Sequence, residues 1–290
     1  MTNFIQLTMF GLSNGAILAL AALGFVLIFK ASGVINFAQG EFLLVGAYVF
    51  YAAVVVLSLP WYLGVPAAIA VAVVLGLVVE RTVLRPMLGA EPIAIIMATI
   101  GLSSVLLGGV QVLFGTAPKP RPRVLPTGSL ELGGVLLPWD RVIAVVVAAV
   151  ALTAFSLFFT RSRHGIAIRA VADDQQAALT VGISVRRVFA LSWALAAATA
   201  VVGGILLASI TGVAPTLAGF GLVVFPVVIL GGLDSVPGTI VGGVIIGLLT
   251  AYVGGYVGGG FQQVVPYVVL VLILLLRPYG LFGQARIRRV

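Results

Sequence analysis

The 290-residue chain contains no cysteine and one histidine, His164. Without thiols there is no disulfide and no thiolate nucleophile, and a lone imidazole is too small a ligand set for a zinc site. Charge is scarce too: 8% of the residues are Asp, Glu, Lys or Arg, against about 25% in soluble domains. A phosphate-cradling Gly-x-x-x-x-Gly-Lys-Ser/Thr loop is missing, so any ATP hydrolysis belongs to another chain. Gly11-Leu12-Ser13-Asn14-Gly15 matches the Gly-x-Ser-x-Gly nucleophile elbow in letters only. That motif needs a strand–turn–helix setting and a histidine base, whereas this copy lies within an apolar run, far in the chain from His164.

What remains is hydrocarbon. Hydrophobic residues make up 61% of the chain, and the mean hydropathy is +1.25. A charge at the centre of a membrane helix costs roughly 2.5–3.5 kcal/mol on insertion scales, so a chain with so few charges is suited to lipid. A span takes about 20 apolar residues, and this length has room for about eight to ten. Nine apolar segments are predicted, near 5–29, 40–58, 61–79, 93–114, 141–160, 188–212, 216–232, 237–257 and 262–277. The first lacks a basic leader and reads as a retained span. The segment 216–232 is short, carries Pro226, and reads as a broken or partial helix. No linker interrupts the chain, and residues 1–290 read as one all-α, polytopic domain of eight or nine spans.

Lysine and arginine set the orientation. Lys30, Arg81, Arg85, Arg161, Arg163, Arg169, Arg186, Arg187, Arg277, Arg286, Arg288 and Arg289 fall on one side of this layout, and only Lys119, Arg121, Arg123 and Arg141 on the other. Basic residues are retained in cytoplasmic loops, which predicts the N-terminus outside and the C-terminus inside. The net charge of +8 is thereby read as a membrane-topology signal, with no nucleic-acid partner. The loop 115–140 falls outside, with Pro118, Pro120, Pro122 and Pro126 followed by a weakly alternating stretch fit for a small hairpin.

The loop 161–187 falls inside and is the most polar stretch. Asp173 and Asp174 are placed to cap a short helix near 174–181, Ala177, Ala178 and Leu179 favour it, and Gly182 can close it. Such a helix is either a solvated connection or a docking element for a soluble partner. Gln176-Ala177-Ala178, three residues, then Gly182 resembles the Glu-Ala-Ala-x-x-x-Gly loop of ATP-binding-cassette (ABC) import permeases, with Gln in the Glu position. Residues 33–42, Gly-Val-Ile-Asn-Phe-Ala-Gln-Gly-Glu-Phe, resemble the Val-Ile-Asn-Phe-Ala-His-Gly-Glu signature of the high-affinity Leu/Ile/Val permeases, with Gln39 for the usual His. Residues 230–238, Leu-Gly-Gly-Leu-Asp-Ser-Val-Pro-Gly, are similar to that family's Leu-Gly-Gly-Leu-Gly-Ser-Ile-Pro-Gly, with Asp234 for a Gly. Residues 276–283, Leu-Arg-Pro-Tyr-Gly-Leu-Phe-Gly, are similar to its C-terminal Arg-Pro-x-Gly-Leu-Phe-Gly.

The resemblance implies the smaller of two permease subunits of an importer for branched-chain or other hydrophobic amino acids in the bacterial inner membrane. Near relatives use urea, short amides or small carboxylates. It also implies a second homologous permease subunit, two ATP-binding subunits carrying ATP and magnesium, and a periplasmic binding protein. Asp173, Asp174, Gln176, Ala177, Ala178 and Gly182 would couple to the ATPase. A different class, an autonomous ion-coupled carrier using Glu41 or Asp234, would have no need of that loop. Asn36, Gln39 and Glu41 are candidates for the translocation path or gate, and so are Asp234 and Ser235; each set can equally serve as helix caps and turns. The Gly-x-x-x-Gly spacings at 238–242, 243–247 and 254–258 allow close helix packing, first of all within the chain.

Overall fold

The computed structural model describes residues 2–87, 89–126, 128–132 and 135–283. The basic tail positions Arg286, Arg288 and Arg289 lie outside the described residues. In chain order the helices are α1 (Thr2–Ser32), α2 (Gln39–Tyr51), α3 (Trp61–Val79), α4 (Pro92–Phe114), α5 (Trp139–Arg161), α6 (Arg163–Asp173), α7 (Gln175–Thr180), α8 (Val185–Thr211), α9 (Phe220–Gly231), α10 (Val236–Tyr256), α11 (Gly259–Gln262) and α12 (Val265–Leu276). Strands β1 (Ser129–Leu132) and β2 (Val135–Pro138) form one antiparallel hairpin. Seven helical stretches are long and apolar enough to cross a membrane, and 215–231 and 265–276 are shorter apolar ones. Each of the nine predicted segments is helical.

The bundle has a hairpin end and a loop end, the latter carrying α6 and α7. Lys30 Nζ at the end of α1 donates to the Asp234 carbonyl oxygen at the α9–α10 turn (3.1 Å). Phe4 near the start of α1 stacks on Tyr252 of α10 (5.3 Å between ring centres). These two helices therefore run antiparallel along their length. The described chain starts at the hairpin end and leaves α12 at the loop end, so it passes through the bundle an odd number of times. Nine passes result when α2 and α9 are each counted with the irregular segment leading into them.

α1 and α8 form the centre. Residues 17–28 of α1 are almost wholly buried, as are Ala196, Ala197, Ala200 and Val201 of α8. Lipid chains are as apolar as leucine, so helix association inside a membrane relies on close van der Waals packing between small residues. Gly11 and Gly15 of α1 face Gly243 and Gly247 of α10: a methyl on Gly15 would stand 2.6 Å from the Gly243 carbonyl oxygen. Gly242 and Gly238 close in the same way on α9. These glycine spacings thus serve packing within the chain.

An inverted pattern relates the two halves of the fold. α1 ends at Gly33 (φ +70°) and α8 at Gly212 (φ +88°); each amide closes its helix, Gly33 N–H on the Phe29 oxygen (2.7 Å) and Gly212 N–H on the Ala208 oxygen (3.0 Å). The left-handed conformation there is open to glycine without the Cβ clash. After each glycine the chain turns back into the bundle irregularly and starts a helix partway through, α2 in one half and α9 in the other. Two further helices follow in each half, α3 and α4, then α10 and α12.

Three local departures from the sequence reading have physical causes. The loop 80–92 continues helically to Met87 through a π-turn at Glu80–Leu84, with the buried Glu80 carboxylate gripped by Arg85 in two hydrogen bonds (2.9 and 3.2 Å). Residues 163–173 form α6, started by the Ser162 hydroxyl oxygen accepting from Gly165 N–H (2.9 Å). Asp173 accordingly closes α6, and Asp174 alone caps α7.

Gly15→Ala is expected to destabilise the purified chain by about 1–3 kcal/mol through overpacking, lowering its midpoint of thermal unfolding in detergent. Gly101→Ala, where a methyl meets nothing within 4 Å, is expected to leave that midpoint unchanged.

Candidate functional site

The first site is the place where the two inward-turning segments meet. Helix α2 begins at Gln39 and α9 at Phe220, and their N-terminal turns touch. A methyl on Gly40 would lie 2.7 Å from Gly221 Cα, and one on Gly221 would lie 2.6 Å from Gly40 Cα. The depth follows from Gln39, whose Nε2 donates to the oxygens of Ala21 in α1 (3.1 Å) and Ala196 in α8 (3.4 Å). Both carbonyls lie 11 residues from the loop end of their helices, about 16 Å at 1.5 Å per residue. That is close to half of a hydrocarbon core about 30 Å thick. The N-terminal turns of α2 and α9 thus meet near mid-depth.

Irregular backbone at that depth needs internal partners, because hydrocarbon offers none. Asn36 Oδ1 accepts from Ala38 N–H (3.0 Å), and Asn36 Nδ2 donates to Gln39 Oε1 (3.3 Å). Thr99 of α4 accepts from Phe37 N–H (3.3 Å); its one hydroxyl hydrogen is shared between the Ile96 oxygen of its own helix (2.9 Å) and the Ile35 oxygen (3.3 Å). In the other half, Lys119 and Val213 exchange backbone hydrogen bonds at the hairpin end (2.7 and 3.1 Å), and a 3-10 turn at Pro215–Gly219 carries the chain inward to α9. Of its two readings, path residue or helix cap, Asn36 does not take the second: it lies before Ala38, the residue in the cap position, and forms a turn.

Glu41 stands in the first turn of α2 and is 6% exposed. Its Oε1 accepts from Ser103 Oγ of α4 (2.7 Å), while its Oε2 is buried with no hydrogen-bond partner. Sequence reasoning missed the partner helix: Thr99 and Ser103 sit four apart on one face of a mostly apolar α4 (Pro92–Phe114), and that spacing was the available signal.

Asp234 and Ser235 stand elsewhere, at the loop end. Ser235 caps α10 by accepting from Gly238 N–H (3.1 Å). The Asp234 backbone oxygen receives Lys30, and Asp234 lines a cavity together with Asp173.

The second site is α7. Asp174 Oδ1 accepts from the amides of Gln176 (2.8 Å) and Ala177 (3.0 Å), and Gly182 (φ +83°) closes the helix through Leu179 (3.0 Å). Ala178 is buried against the bundle, while Gln176, Ala177 and Gly182 are exposed. Leu179 and Val181 are also exposed, at 57% and 74%. A short, firmly capped helix that turns apolar side chains outward from the most polar part of the chain is shaped to dock.

Seven long apolar helical stretches, α2 among them, and the shorter 215–231 and 265–276 make a multi-pass membrane protein. Comparison narrows this: residues 7–274 match the family model described as "Branched-chain amino acid transport system / permease component", and the chain belongs to that family. It is 31% identical to the high-affinity branched-chain amino acid transport system permease protein BraD of Pseudomonas aeruginosa, over 99% of this chain and 98% of that one. The permease LivH of Escherichia coli K12 is 31% identical, again over 99% and 98%. A probable branched-chain amino acid transport permease LivH of Methanocaldococcus jannaschii is 29% identical over 92% of this chain and 89% of its own length. Among solved structures, PsaBC from Streptococcus pneumoniae in complex with Fab shares the fold, with a TM-score of 0.51 at 13% identity, covering 95% of this chain and 92% of that one.

Replacing Gln39 by Leu is expected to cost about 1–3 kcal/mol, because it strips two buried carbonyls and Asn36 of a partner. Asp234→Ala keeps the backbone acceptor for Lys30 and is expected to change stability by about 0.5 kcal/mol or less. Thermal unfolding of the two variants side by side checks the contrast.

Proposed function

We propose that the chain is the membrane-spanning subunit of an ABC importer that carries branched-chain or other hydrophobic amino acids into the bacterial cytoplasm across the inner membrane. The observation that carries this reading is α7, a capped docking helix in a chain whose whole length resembles branched-chain amino acid permeases. The loop end, rich in arginine, faces the cytoplasm by the positive-inside rule, and the hairpin end receives substrate from a periplasmic binding protein. Two ATP-binding subunits holding ATP and magnesium dock beneath, and α7 seats in one of them through Gln176, Ala177, Leu179 and Val181. A second homologous permease subunit completes the pore. The outward side of α4, open at Gly101, Gly108 and Gly109, offers backbone-close approach to it.

The junction of α2 and α9 is the gate. Closure of the ATPase dimer pushes α7 as a rigid body. α7 follows α6, which packs through Ile168 and Val171, and α6 bears on α1, α5 and α8. α1 and α8 hold the gate through Gln39, so a tilt of either reaches the Gly40–Gly221 contact. Glu41, with one carboxylate oxygen unpartnered, offers a hydrogen-bond acceptor where the ammonium group of an amino acid passes.

Ala177→Arg puts a bulky charge on the docking face, and Gly182→Val forces a β-branched residue into a left-handed conformation. In the transporter reconstituted with its ATPase and binding protein, both are expected to cut uptake at least tenfold while ATP hydrolysis continues. Unchanged uptake by well-assembled variants would contradict the docking role. Uptake driven by an ion gradient in liposomes of this chain alone would contradict the importer reading.

A further inference from the structure

A cavity of about 950 Å³ opens at the loop end between α1, α5, α6, the α9–α10 turn and Phe282. Its walls carry both signs of charge: Lys30 and Arg169, then Asp173 and Asp234. The two ion pairs among the described residues lie elsewhere, at Arg85–Glu80 and Arg121–Asp140. The cations are set around one ring, Lys30 Nζ at 5.8 Å and the Arg169 guanidinium at 5.4 Å from the centre of Phe159. Arg169 is also held in place, donating to the carbonyl oxygens of Phe159 and Thr160 at the end of α5. An ammonium and a guanidinium on the walls of one cavity suit a phosphate, and the carboxylates suit an ammonium group.

A second, apolar groove of about 410 Å³ runs between α1, α5 and α10, lined by Leu12, Ala149, Leu152, Leu157 and Val244. Ser156 borders both spaces, so the groove begins where the charged cavity ends. The order of the two along the bundle, charge at the loop end and hydrocarbon toward its middle, is that of a lipid in one leaflet.

From this arrangement we propose that the cavity and groove together bind one glycerophospholipid with an aminoethyl headgroup: the phosphate between Lys30 and Arg169, the ammonium at Asp234 and Asp173, and an acyl chain along Ala149 and Leu152. The two carboxylates exclude preference for a purely anionic headgroup. A quaternary ammonium has no N–H to donate to them, which disfavours choline lipids. The proposal rests on membrane embedding and is independent of the transported substrate. The bound headgroup lies against α6, so the lipid joins the coupling helices to the bundle.

The test uses the purified full-length chain stripped of lipid in detergent, with phosphatidylethanolamine, phosphatidylglycerol and phosphatidylcholine of matched acyl chains added separately, and adducts counted by native mass spectrometry. Phosphatidylethanolamine is expected to be retained roughly tenfold better than either of the others. Lys30→Gln and, independently, Ala149→Trp, an exposed position where the indole fills the groove, are expected to abolish that preference. Equal retention of the three lipids by the unaltered chain would overturn the proposal, as would a preference that survives Ala149→Trp. Displacement of the lipid by millimolar free leucine would also overturn it, making the cavity a site for a small zwitterion.

Discussion

Backbone polarity inside hydrocarbon is the constraint on which this structure depends. A helix satisfies its own amides, and a broken helix does not. Between α1 and α2 the chain runs irregularly and is satisfied by a few groups, Asn36, Gln39 and Thr99; after α8 the Lys119–Val213 exchange ties the chain at the hairpin end, and a 3-10 turn at Pro215–Gly219 leads into α9. Gln39 does most, because one amide ties the start of α2 to Asn36 and to carbonyls of both central helices. With those bonds in place, two helix N-termini can face each other at Gly40 and Gly221 close to mid-depth. The positive ends of the helix dipoles and the Glu41 carboxylate then share one small volume.

That junction explains why a permease would break its helices at all. Two continuous helices slide past each other only by disturbing long interfaces. A junction of half-helices joined through glycines moves by shifting a few contacts, while the packed α1–α8 centre keeps its form. The proposed coupling helix α7, with α6 before it, sits at the loop end of the same bundle. α6 is packed against α1, α5 and α8, and α7 hangs from it through a single capped turn at Asp174. Motion applied at α7 therefore enters the elements that hold the gate. An aminophospholipid seated between α6, α1 and α5 would stiffen that connection.

Much of the fold was legible in the sequence, because spans depend on local composition. All nine apolar segments are helical, the break at Ser58 occurs at a residue with φ +53°, and the hairpin near 129–138 is present. Pro226 does lie within a short helix, α9. In the docking loop, Asp174, Ala177 and Gly182 announced α7 to within a residue, since capping is read from adjacent positions. α6 escaped notice because its apolar residues, Ile168 and Val171, are spaced for a helix inside a stretch dominated by arginine. The Asn36–Gln39–Glu41 cluster was visible as polar residues in an apolar chain. Its partners were not, because Thr99 and Ser103 are more than 60 residues away in sequence. Nor does the sequence display the inverted pairing of the two halves, which shares a backbone course and a glycine at the turn rather than a common string of residues.

The absence of cysteine makes the central claim, that the α2–α9 junction is a gate driven from α7, directly measurable. Ser104 is exposed on α4, next to the Ser103 that binds Glu41. A Ser104→Cys chain, assembled with its ATPase partners in inside-out and right-side-out vesicles, can be labelled with a membrane-impermeant maleimide with and without ATP trapped. Labelling is predicted to change sides between the two states. Labelling from the same side at the same rate, with and without trapped ATP, would contradict the account.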